Sequence, residues 1–338
     1  MKAAIEAIEY YLPQKTLTTE QLATERPDWS AERIDRMTGI SERHIAATDE
    51  CASDLGVEAA HKLFASGAIG PGQVDYLLFC TQSPDHFLPT TACIMQRRLN
   101  LPIDVGALDF NLGHSGFVYG LGLAQGLIET GQASNVLLIT AETYSKFIHP
   151  GDRSVRMIFG DGAAATLVRA IESSDSFIGP YVYGTDGSGA ASLIVPAGGM
   201  REPRTAETAV AAIDETGNER SRNSLFMDGG SVFTFTRSVV PNAVRALLAR
   251  SGKTLEDIDL FVFHQANEYI LEYLRKRIRI PSEKFYVAMR HCGNTVSSSI
   301  PIALKHAQME GRLRPGHTVM LVGFGVGYSW SGTLVRWI

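Results

Sequence analysis

Cysteine is scarce: Cys51, Cys80, Cys93 and Cys292 are the four in 338 residues. No two stand in a Cys-x-x-Cys spacing, which leaves neither a zinc ribbon nor a disulfide framework and fits a reducing compartment. A dominant charge is also lacking. The 31 Lys and Arg against 36 Asp and Glu leave a net charge of −5. The one short basic cluster, Arg275-Lys276-Arg277 with Arg279, is no footprint for nucleic acid. No uninterrupted apolar run approaches the ~20 residues of a membrane span. Glu6 and Glu9 interrupt any apolar signal core at the N-terminus. The expectation is a cytoplasmic protein that partners neither nucleic acid nor membrane.

What is present is an ordinary globular composition, 45% hydrophobic and 20% charged. Short runs rich in Val, Ile, Leu and Phe read as strands at Tyr76 to Cys80, Val136 to Thr140, Ala164 to Val168, Leu260 to His264 and Val319 to Val322. Helical patterns lie between them, at Ser53 to Ala65, Gly116 to Glu129, Val239 to Arg250 and Ile300 to Gln308. Continuous apolar strands separated by helices predict an α/β fold with sheets buried on both faces. The strands also repeat. Val74-Asp75-Tyr76-Leu77-Leu78-Phe79-Cys80 resembles Ile258-Asp259-Leu260-Phe261-Val262-Phe263-His264, and Ser66-Gly67 precedes the first as Ser251-Gly252 precedes the second. Two similar halves, 1–170 and 171–338, account for this. Cys80 then occupies in the first half the position of His264 in the second. Residues 199–222, the one long stretch poor in apolar residues, read as a surface excursion on the second half.

Three polar clusters stand at element ends. His264-Gln265-Ala266-Asn267 follows a buried strand, where ligands of α/β proteins gather. Gly293-Asn294-Thr295-Val296-Ser297-Ser298 opens a helix, and its Asn can be a plain cap. Gly323-Phe324-Gly325-Val326-Gly327 lets backbone amides approach a ligand closely. Together a His, an Asn and a glycine-rich turn suit a developing oxyanion.

These clusters, with Thr38-Gly39-Ile40-Ser41-Glu42-Arg43 and Phe159-Gly160-Asp161-Gly162-Ala163, make the chain resemble the β-ketoacyl-acyl-carrier-protein synthase III family over nearly its whole length. The resemblance implies a thiolase-like fold in layers αβαβα and an acyltransferase of fatty acid biosynthesis. It implies a Cys that attacks an acyl thioester, and a His and an Asn, at His264 and Asn294, that help decarboxylate malonyl-acyl-carrier protein. It places the oxyanion hole on the backbone amides of His114 and Val326. It implies no cofactor and no metal; acyl-coenzyme A and the malonyl carrier protein enter as substrates.

At the nucleophile the chain departs from the family pattern. The stretch is Asn111-Leu112-Gly113-His114-Ser115-Gly116-Phe117, with His114 where the Cys belongs. An imidazole at a helix start beside a second imidazole is pushed toward its neutral form. An acyl-imidazole is too reactive toward water to store an acyl group. Ser115, about 100° further round the helix, is a weak substitute. Four readings stay open: an acylation-deficient variant of a Cys enzyme, a thiol-free decarboxylase or direct acyltransferase, a non-catalytic subunit beside an active homologue, and a core histidine without a role. The first is favoured because the other catalytic elements are all in place.

The resemblance further implies a homodimer in which Leu88 reaches the partner's acyl pocket, with Phe117 and Phe324 among the pocket's own walls. Arg33 stands about where the family stacks a Trp on the adenine of coenzyme A, and Arg153 matches an Arg near the nucleotide. Arg275, Lys276 and Arg277 lie where the family docks its acidic carrier protein.

Overall fold

The computed structural model describes residues 1–25 and 30–338. Its first five-stranded sheet holds β1 (Lys2–Tyr11), β2 (Tyr76–Cys80), β3 (Gly106–Phe110), β4 (Asn135–Glu142) and β5 (Gly162–Ile171). The second holds β6 (Ile178–Thr185), β7 (Leu260–Phe263), β8 (Phe285–Tyr286), β9 (Thr318–Gly325) and β10 (Ser329–Arg336). The first runs β1-β5-β4-β2-β3 and the second β6-β10-β9-β7-β8. The pairing directions match as well: two antiparallel ladders, then two parallel ones, in the same places. β2 and β7, which carry the matched sequences, hold the same position in their sheets.

The side-chain period of two builds the layers. Leu78, Leu138, Val262 and Leu321 face a central cluster with helices α2 (Gly116–Glu129) and α5 (Ser299–Met309). Their neighbours Leu77, Phe79, Leu137 and Ile139 face outward onto α1 (Ala52–Ala65). On the second sheet, Phe261, Phe263, Met320 and Val322 face outward onto α3 (Gly229–Ser251) and α4 (Glu268–Ile278). Helix, sheet, helix, sheet, helix is the thiolase-like arrangement expected. Each fully buried Leu or Phe here contributes about 1.5–3 kcal/mol of apolar burial. The inner layer is close-fitting: a Cβ on Gly116 would stand 2.3 Å from the Cys80 sulfur, and one on Gly120 2.6 Å from Leu138. These glycines let α2 lie flat on the first sheet.

The sequence reading names five of these ten strands and passes over β1, β3, β6, β8 and β10. Two further elements differ from it. Helix α3 begins at Gly229, not near Val239, because Asp228 caps it by accepting from the Ser231 N–H at 3.1 Å. Gly229-Gly230 and the mixed polar turn after them hide that start from the apolar period. The polar excursion follows β6 in sequence but fastens onto residues 147–152, which precede β5. Arg220 Nε lies 3.2 Å from buried Asp152 and the Glu219 N–H donates to the Gly151 carbonyl at 3.1 Å; just past the excursion, the Leu225 N–H donates to the Phe147 carbonyl at 2.7 Å.

Candidate active site

Residue 114 reaches the site because β3 ends at Phe110 and the chain turns once before α2 begins at Gly116. The N-terminus of α2 therefore aims at the space between the sheets. His114 is buried on this turn. Ser115 turns into the second sheet, where its Oγ lies 2.6 Å from Ser329 Oγ and its carbonyl accepts from Ser331. It does not face the cavity and is no stand-in for a thiol.

His264 follows β7 directly and keeps the ladder going, its N–H donating to the Val322 carbonyl at 2.8 Å. Its Nδ1 lies 2.7 Å from Ser299 Oγ, which also accepts from the Gln265 N–H. Asn294 is pinned from three sides. Its N–H donates to Ile158, its carbonyl accepts from Gly160, and its Oδ1 accepts from the Val296 N–H at 3.0 Å. That last bond fixes the amide orientation, so Nδ2 points at the Ala266 carbonyl, 3.3 Å away, and at His264 Nε2, 3.5 Å away. A hydrogen-bonded NH₂ only donates, so His264 Nε2 is an acceptor and its proton sits on Nδ1.

His114 completes the group. Its ring centroid lies 4.6 Å from that of His264, the planes near perpendicular at 77°. Tyr144 and Phe159 enclose its other faces. The glycine turn is shaped around it: a Cβ on Gly325 would stand 2.4 Å from His114 Nδ1. The Val326 N–H donates to that same Nδ1 at 3.4 Å. Burial pushes the His114 imidazole down to about 3. Burial, and then the neighbouring His114, push His264 well below the ordinary histidine range. Both rings are neutral at pH 7.

His114, His264, Asn294 and Phe324 open onto one cavity of ≈ 660 Å³. Met157, Ile158, Leu193, Met227 and Phe233 supply apolar wall, suited to an acyl chain. Among the described residues no group of three or more His, Cys, Asp or Glu is arranged to hold a metal.

Residues 108–187 match the 3-oxoacyl-(acyl-carrier-protein) synthase III family, and residues 248–337 match its C-terminal family. A β-ketoacyl-(acyl-carrier-protein) synthase III of Caldanaerobacter subterraneus is 39% identical over 327 residues, covering 97% of this chain and 95% of its own. The chain belongs to the 3-oxoacyl-(acyl-carrier-protein) synthase III family. A crystal structure of a synthase III superposes over the whole of both chains at 54% identity with a TM-score of 0.99. A 3-oxoacyl-(acyl-carrier protein) synthase from Burkholderia xenovorans, 35% identical, has a TM-score of 0.91 over all of this chain and 94% of its own. The relatives are acyltransferase-type condensing enzymes, and the thiolase-like fold is theirs too.

The synthase-like site contains only some of the residues the sequence pointed to. His114, His264 and Asn294 converge, and Val326 stands over them. Phe117 does not line the cavity: it is fully buried in the central cluster, because the first turn of α2 faces the sheets there. Arg33 is exposed and off the cavity; Arg36, one turn on in the same helix, is at its mouth. Arg153 holds the polar excursion, donating to the Gly217 carbonyl at 3.0 Å. Leu88 is 86% exposed. Arg275 and Lys276 both pair with Glu272 at the end of α4, while Arg277 is exposed.

Sequence reading missed Ser299, the Nδ1 partner of His264, although it is one residue past the polar cluster at Asn294. It also missed Glu142. This carboxyl is buried at the end of β4 and accepts from the Gln82 N–H, Ser83 Oγ and Ser297 Oγ at 3.0, 3.3 and 2.8 Å. Burial pushes it up to about 8. Leu193 and Met227, the two cavity walls next to the excursion, carry no motif that could have shown them.

No helix is long and apolar enough to cross a membrane among the described residues.

Proposed function

We propose that this chain binds acyl and malonyl thioesters as a synthase III does, decarboxylates the malonyl group, and does not hold an acyl group covalently. The supporting observation is the convergence of His264, Asn294 and His114 on one buried cavity beneath the Gly325-Val326 turn. Of the two Asn294 Nδ2 hydrogens, one is held by the Ala266 carbonyl, and the one that reaches His264 Nε2 at 3.5 Å would turn to a thioester oxygen as charge gathers there in the enolate. A donor so placed commonly contributes ~3 kcal/mol in the transition state. The bond from methylene to carboxylate breaks, its electron pair passes into the thioester enolate, and carbon dioxide leaves. The methylene carbon then takes a proton from water. His264, neutral with its Nε2 lone pair toward Asn294, holds that amide in place until a thioester oxygen takes over the hydrogen.

Acyl-coenzyme A and malonyl-acyl-carrier protein are the proposed substrates, with no cofactor. His114 in the nucleophile position makes the chain an acylation-deficient member of the family. Ordered, fully partnered His264 and Asn294 side chains favour this over a non-catalytic partner subunit. The exposed Leu88 fits a homodimer in which it covers the partner's cavity. Arg277, and the cationic end of α4 as a whole, fit an acidic carrier protein; Arg33 and Arg153 are retained as nucleotide contacts only on the family resemblance. The repeated strand order supports a division of the chain near residue 170, where β5 ends.

The test is malonyl-coenzyme A decarboxylation, read as carbon dioxide release. Asn294→Ala should lower it about 100-fold, the rate equivalent of one oriented donor, and His264→Ala should lower it too by freeing that amide from its position. Parent rates in both variants would make these residues structural.

A further inference from the structure

The proton on the His114 ring has only one place to be. The Val326 N–H donates and cannot accept, so Nδ1 is the acceptor of that bond. A neutral imidazole with an accepting Nδ1 carries its hydrogen on Nε2. His264 is arranged the other way, with its hydrogen on Nδ1 toward Ser299 and its Nε2 accepting from Asn294. The ring N–H available to the cavity is therefore that of His114. Its Nε2 has no hydrogen-bond partner in the protein among the described residues, and the ring lines the cavity.

We propose that His114 is a hydrogen-bond donor to the thioester carbonyl: its Nε2–H, polarised by the Val326 amide behind it, takes the place of a backbone oxyanion donor. This rests on the thioester reading above and adds a role to it. The Val326 N–H, the amide that the resemblance placed in the oxyanion hole, is spent on the imidazole. Its polarity passes through the ring to Nε2. Nucleophilic attack from Nε2 would need a lone pair there, hence a second tautomer and loss of the Val326 bond. Gly325 is a positioning residue, since any side chain at 325 would displace the ring. As the malonyl carboxylate leaves, the enolate oxygen accepts from His114 Nε2–H and from the Asn294 Nδ2–H that turns to it from His264 Nε2. No proton has to change owner until the methylene carbon takes one from water.

Nitrogen-15 spectra of the chain with ring-labelled histidine, near pH 7, test this without relying on turnover. His114→Gln identifies the His114 signals by their loss. The expected result is a protonated Nε2 and an unprotonated Nδ1; a protonated Nδ1 overturns the proposal. Saturation with acetyl-coenzyme A, which cannot decarboxylate, should move the Nε2-bound proton downfield. No movement with binding verified by calorimetry also overturns it. In malonyl-coenzyme A decarboxylation His114→Leu should lose about 100-fold, and His114→Gln, which keeps an N–H, should recover at least tenfold of that. A Leu variant at the parent rate contradicts the donor role. A parent that never decarboxylates, with both spectral results in place, refutes the decarboxylase reading and leaves the donor assignment standing.

Discussion

Gly325 and His114 are fitted to one another. A Cβ at 325 would stand 2.4 Å from His114 Nδ1, closer than any side chain tolerates. Gly325→Ala should cost roughly 1–3 kcal/mol by overpacking. Most of that should vanish when His114→Ala is present, because the two residues are in contact. Urea unfolding of the four chains in this cycle measures the coupling. Titration gives a second residue-scale prediction. His114 is lowered to about 3 in the folded chain, against about 6.5 for a free histidine. Its contribution to stability is whole above pH 6.5 and is lost as pH falls toward 3, where the unfolded chain binds the proton first. His264 acts in the same direction. The acid limb of a stability profile should be shallower in His114→Leu than in the parent. At this scale the sequence showed polar residues at element ends, His264 after a strand and Asn294 before a helix. It hid Ser299, Leu193 and Met227, whose roles come from contacts between distant segments. Phe117 misled because a residue beside the nucleophile position in sequence is turned by the helix into the core.

Among the elements, β4 shows how a strand couples layers to site. Its alternate apolar residues feed both faces, and it ends in Glu142, which ties together the loops at 82–83 and 297. Glu142 is raised to about 8 from an ordinary 4.5. Between those values the unfolded chain releases a proton that the folded chain keeps, so this group lowers stability as pH rises from 4.5 to 8. Glu142→Gln, neutral at both ends, should remove that slope, and urea midpoints at pH 5 and pH 8 would then lie closer together than in the parent. The strands β2, β4, β5, β7 and β9 were readable because short apolar runs bounded by turns have few other solutions. Helix α3 was cut short in that reading, since Gly-Gly and a polar first turn carry no period. Capping by Asp228 starts the helix all the same.

At the scale of the molecule, matched sequences placed at matched sheet positions explain why the fold was legible: β2 and β7 share a pattern and share a place. The excursion's attachment to the segment before β5 was not legible, because Arg220 meeting Asp152 is a contact between distant segments with no local signature. Sedimentation at micromolar concentration should give a dimer, and Leu88→Asp should weaken it at least tenfold; a parent monomer would remove the proposed partner contact. The central claim is that a synthase III site with His114 at the nucleophile position holds no acyl group, and intact-protein mass measurement tests it most directly. After incubation with acetyl-coenzyme A the parent should keep its mass, while His114→Cys should gain one acetyl group. A lasting acetyl adduct on the parent, mapped to His114 or Ser115, would contradict the account.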